Sequence, residues 1–162
     1  MIITRKLVER NVFSRILVPI DGSKCSMEAA EYAIDLADKY NSELIAVHMI
    51  YYLSSHDYSN LVGMVTPTNI QLILDNAKKN AENWFEKINT RIKEKNLNLK
   101  IKTDVVSAIS SVHGEIINYA ENKKVDLIVI GSKGKTGIKK MLMGSVASGV
   151  VTYAHCPVLV VK

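Results

Sequence analysis

The chain has 162 residues, 48% of them hydrophobic and 23% charged, with a formal net charge of +5; this is ordinary for one domain, over 1–162, with enough apolar material to cover a sheet on both faces. No run of about 18 apolar residues is present to span a membrane, and the charged N-terminus lacks the apolar stretch of a secretory signal, so a cytoplasmic protein is expected. Cys25 and Cys156 lie far apart without a CxxC or Cys/His cluster, which excludes a disulfide scaffold and a structural zinc site.

The positive charge does not point to nucleic acid, because much of it alternates with carboxylates: Lys78, Lys79, Lys87 and Arg91 stand among Asp75, Glu82, Glu86 and Glu94, as on a solvated helix face. Residues 1–12 read as an N-terminal extension without an assigned role. Residues 16–20 then form a short apolar run that stops at Asp21-Gly22-Ser23, a buried strand and a turn. A helix is predicted over 27–40, where Met27, Ala30, Ala33, Ile34, Ala37 and Tyr40 share one stripe and Ser23 or Ser26 is available as its cap. Residues 44–50 are nearly continuously apolar, the pattern of a strand covered on both faces.

Residues 51–69 lack periodicity and carry Ser, Asn, Gly, Thr and Pro, so a long loop is expected, with Tyr51, Tyr52 and Tyr58 either forming a lid or packing on the sheet edge. Helical spacing returns from Ile70 to Ile92 through Ile73, Leu74, Ala77, Ala81, Trp84, Phe85 and Ile88, predicting one long helix with its apolar face on the sheet. Alternation over 97–105 predicts a half-exposed edge strand. A short helix over 115–122 beginning near His113, a buried strand over 125–130 stopping at Gly131, a helix from Gly144-Ser145 to about Tyr153, and a terminal strand after Pro157 complete the order. Such alternation predicts an α/β fold: a parallel sheet with right-handed crossovers and helices on both faces.

Ligands of such sheets bind at the carboxyl edge, where the strand order reverses. Two turns there are specialised: Asp21-Gly22-Ser23, and the run from Gly131 to Gly137 followed by Gly144-Ser145. The spacing G-x2-G-x9-G-S over Gly131, Gly134, Gly144 and Ser145 suits a loop whose amides face a phosphate chain. Gly134-Lys135-Thr136 imitates the end of a Walker A loop, but Val129 occupies the position of its first glycine; a GxGxxG after the first strand is also missing. Among the loop lysines Lys135 is the candidate to neutralise phosphate, with plain solvation as the alternative for it and for Lys139 and Lys140.

Asp21-Gly22-Ser23, His48, Gly131-Ser132-Lys133-Gly134, Gly144-Ser145 and the closing run from Cys156 to Val161 together resemble the universal stress protein family, from about Phe13 to Lys162. The resemblance implies one five-stranded parallel sheet in the order 3-2-1-4-5, Rossmann-like and similar to adenine nucleotide alpha hydrolases. It implies ATP, with Mg²⁺, as the ligand: Asp21 on the ribose or adenine side, Met49 reading adenine through its backbone, and Gly131, Ser132, Gly134, Gly144, Ser145 and Val146 holding ribose and phosphates. It also implies a homodimer formed partly through 158–161. Lys133 departs from the family, many of whose members carry His or Arg there.

His48 reads as a hydrogen-bonded core histidine rather than a base or metal ligand. Asp21 is equally suited to Mg²⁺ or to capping the following helix, whereas Cys25, near a helix N-terminus, reads as an inert small residue rather than a reactive thiol. No set of base, nucleophile and transition-state clamp emerges. The function expected is a nucleotide-dependent switch or stress-response regulator that acts on a protein partner and hydrolyses ATP slowly at most. The alternative is a metal-dependent nucleotide-hydrolysing or nucleotidyl-transferring enzyme on the same sheet, and a scaffold that binds no nucleotide is a third reading.

Overall fold

A computed structural model describes residues 12–51, 67–108, 110–135 and 143–162. In chain order the elements are β1 (Arg15–Pro19), α1 (Lys24–Tyr40), β2 (Glu43–Tyr51), α2 (Pro67–Glu94), β3 (Ile101–Ala108), α3 (Val112–Asn122), β4 (Leu127–Gly131), α4 (Ser145–Tyr153) and β5 (Val158–Val161). The five strands form one parallel sheet in the order β3-β2-β1-β4-β5, with Leu17 of β1 aligned to Ile45 on one side and Ile128 on the other. The order reverses between β1 and β4, so the crevice of a doubly wound sheet opens there.

Side-chain alternation divides the core between the two faces. Ile16 and Val18 point toward α1 and α2, meeting Ala30, Ile34, Phe85 and Ile88. Leu17 points the other way, with Ile45, Val47, Ile128, Ile116 and Val150, under α3 and α4. Each of the buried Val, Leu, Ile and Phe side chains among them contributes about 1.5–3 kcal/mol.

The first helix begins three residues before its apolar stripe because its cap decides its start: Ser23 is the N-cap, its Oγ accepting the Ser26 N–H at 3.2 Å. The same hydroxyl donates to the Lys133 carbonyl at 3.3 Å, so the cap also ties this turn to the glycine loop. We expect Ser23→Ala to lower stability by about 1 kcal/mol, read as a fall in the midpoint of chemical denaturation. An unchanged midpoint would mean that the cap is replaced by water at no cost.

Other boundaries also differ from the sequence reading, and around α2 the reasons are physical. The segment expected to be a loop over 51–69 is shorter, since Tyr51 closes β2 by pairing with Ala108 and Pro67 opens α2, a first-turn position where its missing N–H costs nothing. Residues 52–66, with Tyr52 and Tyr58, lie outside the described residues, as do 1–11 of the N-terminal extension. The edge strand starts at Ile101 instead of 97, because the chain first leaves α2 through Asn96 at φ 54 and the Leu97 N–H returns to the Ile92 carbonyl at 3.1 Å.

The long helix puts only part of its stripe on the sheet. Ala81, Phe85, Ile88 and Ile92 are buried, whereas Leu72 and Ile73 are 56% and 63% exposed. Its 28 residues span roughly 42 Å against roughly 30 Å for the longest strands, so its first turns overrun the layer they would cover. Among the described residues no helix is long and apolar enough to cross a membrane.

Candidate functional site

A cavity of about 730 Å³ opens at the carboxyl ends of β1, β2 and β4. The structure brings to its wall every residue singled out for ligand binding: Asp21, Met49, Gly131, Ser132, Gly134, Lys135, Gly144, Ser145 and Val146. It adds His48, Tyr51, Val112 and Ile116, among others. Val112 and Ile116 were legible in principle, since they stand four apart on the first turns of the helix that leaves β3 at this same edge. Thr136, Gly137, Lys139 and Lys140 lie outside the described residues.

The turn after β1 is held from both sides. The Ile20 N–H donates to the Val47 carbonyl at 2.8 Å, and its own carbonyl lies 2.7 Å from His48 Nδ1. A carbonyl only accepts, so Nδ1 carries the proton and the neutral ring presents Nε2 as an acceptor. His48 is therefore hydrogen-bonded as expected, but it also faces the cavity.

Asp21 has both carboxylate oxygens engaged by backbone. Oδ1 accepts the Ser23 N–H at 2.9 Å and Oδ2 the Lys135 N–H at 3.1 Å. The helix cap left open between Asp21 and the serines thus belongs to Ser23, and Asp21 instead bolts the β1–α1 turn to the glycine loop. Burial alone raises the pKa of this carboxyl, but hydrogen bonds from Ser23, Ser26 and Lys135 outweigh it and hold the group below its ordinary value.

The glycine loop is anchored where it leaves β4. The Ser132 N–H donates to the Val161 carbonyl at 2.6 Å and the Gly144 N–H to the Ser132 carbonyl at 2.8 Å. The loop's two ends are thereby clamped together in front of α4. Helices α1 and α3 begin with serine side chains bonded to their first amides, but α4 begins at Gly144, whose cap makes no side-chain hydrogen bond. Among the described residues no side chain accepts from its leading N–H groups, at Ser145 and Val146, and both residues line the cavity, a built-in seat for an anion. Part of the wall is apolar, through Met49, Val112 and Ile116, which suits the flat, weakly polar part of a ligand whose other end is anionic.

Burial, the largest influence, lowers the pKa of His48 below its ordinary 6.5. The unfolded chain then binds more protons than the folded one as pH falls through 6.5, so stability rises with pH in that window. We expect acidification from neutrality to destabilise the protein until the lowered folded pKa has been passed, and His48→Gln to flatten this slope in chemical denaturation at several pH values. Equal slopes for the two proteins would place the titration elsewhere. Among the described residues no group of three or more His, Cys, Asp or Glu side chains is arranged to hold a metal ion, and both cysteines are free thiols.

The model of the universal stress protein family matches residues 13–162. Universal stress protein MJ0531 of Methanocaldococcus jannaschii is 38% identical over 152 residues, covering 94% of this chain and 84% of that protein. The solved structure of MJ0577 from the same organism is 28% identical and superposes with a TM-score of 0.75 over 93% of this chain and 96% of its own. The universal stress protein of Archaeoglobus fulgidus, solved in complex with dAMP, shares the fold at a TM-score of 0.63 and 19% identity over 93% of this chain and 99% of its own. With the family model spanning the whole sheet and both halves of the glycine motif, the chain belongs to the universal stress protein family.

Proposed function

We propose that this protein is an ATP-binding universal stress protein, a cytoplasmic homodimer that works as a nucleotide-dependent switch in a stress response and hydrolyses ATP slowly at most. The observation that carries the reading is the N-terminus of α4, whose Gly144 cap makes no side-chain hydrogen bond, set beside the glycine loop in a cavity that also has apolar lining. Phosphates suit the first and a purine the second. In this reading Gly131, Ser132, Gly134, Gly144, Ser145 and Val146 hold ribose and phosphates, Lys135 neutralises charge, and the Met49 backbone reads the adenine edge. That a protein of the same fold from Archaeoglobus fulgidus is known in complex with dAMP supports a nucleotide as the guest.

Mg²⁺ would arrive on the phosphates, with Asp21 an indirect partner, since both of its oxygens already hold backbone N–H groups. The same engagement leaves Asp21 no uncommitted oxygen with which to activate a water, which favours a switch over a nucleotide-cleaving or nucleotidyl-transferring enzyme. The test is calorimetric titration of folded, nucleotide-free protein with ATP and Mg²⁺, with the nucleotide content of the purified protein read by mass spectrometry. Saturable binding at one site per chain is expected. Absence of binding would sink the reading, and metal-dependent multiple turnover abolished in Asp21→Asn would replace it by the enzyme.

The dimer is supported by the apolar β5 edge, where Leu159 is 37% exposed. An apolar sheet edge of this kind invites pairing unless it is covered. Sedimentation should give a dimer for the native chain and a monomer for Leu159→Lys. A dimer that survives this substitution would move the interface elsewhere.

A further inference from the structure

The chain has one tryptophan, Trp84, and it stands behind the cavity rather than in its wall. The Lys135 ammonium lies 4.3 Å from a ring centroid of the indole. The His48 imidazole meets the same side chain edge-on, with centroids 5.1 Å apart. Gly22, at φ +77, leaves the indole the space that a Cβ there would fill. Lys135 and His48 line the cavity, and Trp84 supports both from outside.

The two charge-binding features lie on different faces of the sheet. Trp84 packs with α1 and α2 on one face, whereas α4 buries Ala147 and Val150 on the other. A single phosphate on the leading amides of α4 therefore sits across the carboxyl edge from the Lys135 ammonium. A longer phosphate chain, running over the ends of β4 and β1, reaches both.

We propose that Trp84 is a positioning residue for Lys135, and that through this pair the site discriminates nucleoside triphosphates from nucleoside monophosphates. The inference rests on reading the cavity as a nucleotide site. A lysine on a loop ordinarily loses much side-chain freedom when it engages a phosphate. Here the backbone of Lys135 is fixed by Asp21 at 3.1 Å, and the ring face holds its far end. An aromatic face does this without neutralising the charge, as a carboxylate in its place would.

The experiment is titration calorimetry with ATP and with AMP on the native chain, Trp84→Leu, Trp84→Phe, Lys135→Met and the Trp84→Leu/Lys135→Met double variant. Trp84→Leu should weaken ATP binding about two- to fivefold and leave AMP binding unchanged. Trp84→Phe, which keeps a ring face, should recover part of the loss. Lys135→Met should lower the ATP-to-AMP preference at least as far, and adding Trp84→Leu to it should lower it no further. Trp84 emission should also differ between nucleotide-free native protein and Lys135→Met, as the contact requires. Equal losses for ATP and AMP, or additive effects in the double variant, would overturn the proposal and leave Trp84 a packing residue. If Trp84→Leu does not fold, an unchanged ATP-to-AMP ratio in Lys135→Met overturns it alone. A native chain that binds neither nucleotide would refute the nucleotide reading and this inference together, whereas binding of both at a ratio indifferent to these residues would refute this inference only.

Discussion

Gly131→Ala should melt about 10 °C below the native protein, a loss of about 3 kcal/mol, and should weaken ATP binding as well. The cost is one of space. A Cβ at Gly131 would stand 2.6 Å from the Cys25 carbonyl carbon and 2.8 Å from the Ser26 nitrogen. Both are backbone atoms of the first turn of α1, so no side chain can rotate to make room. The strand cannot retreat either, because every residue of β4 is buried and the strand lies between β1 and β5. The helix must therefore move, and with it the Ser23 cap and its bond to the Lys133 carbonyl. Thermal melting checks the first effect and calorimetry the second. A melting point within about 2 °C of the native value would show that α1 rides on β4 with slack, and that its close approach does not set the geometry of the loop.

Much of this arrangement was legible in the sequence. Alternation of apolar runs with helical stripes yields the parallel sheet, because runs such as Leu44 to Ile50 and Val125 to Ile130 have no polar face to turn outward. The two specialised turns could be found because glycine and serine at a strand end are unusual enough to carry information. What stayed hidden depends on contacts between distant segments. The exposure of Leu72 and Ile73 follows from the length of α2 relative to the strands, which no residue pattern reports. The commitment of both Asp21 oxygens needs Ser23 and Lys135, 114 positions from Asp21, to meet in space. Trp84 reads in sequence as one more apolar residue of a helix stripe, and its role beside Lys135 and His48 appears only when α2, β2 and the glycine loop are assembled.

Asp21→Asn should weaken ATP binding about thirtyfold, the equivalent of about 2 kcal/mol, with a smaller effect on stability. The carboxylate is a double acceptor between two donors, the N–H groups of Ser23 and Lys135. An asparagine offers one oxygen and one NH₂, so one backbone donor loses its acceptor and faces another donor instead. The Ser23 side survives more easily, being only two residues away in the chain; the Lys135 side, at the end of the described glycine loop, is the one released. The loop then adopts its binding geometry only at a cost taken from affinity. Because the folded pKa of Asp21 lies below its ordinary 3.8, the bolt is intact above that value and is lost only as pH falls through the lowered one. Between about pH 5 and pH 8 the ratio of native to Asp21→Asn affinity should therefore stay constant, measured by titration with ATP at several pH values. A ratio that collapsed toward one within that range would mean that Asp21 is protonated there, and that the glycine loop is held by something other than its charge.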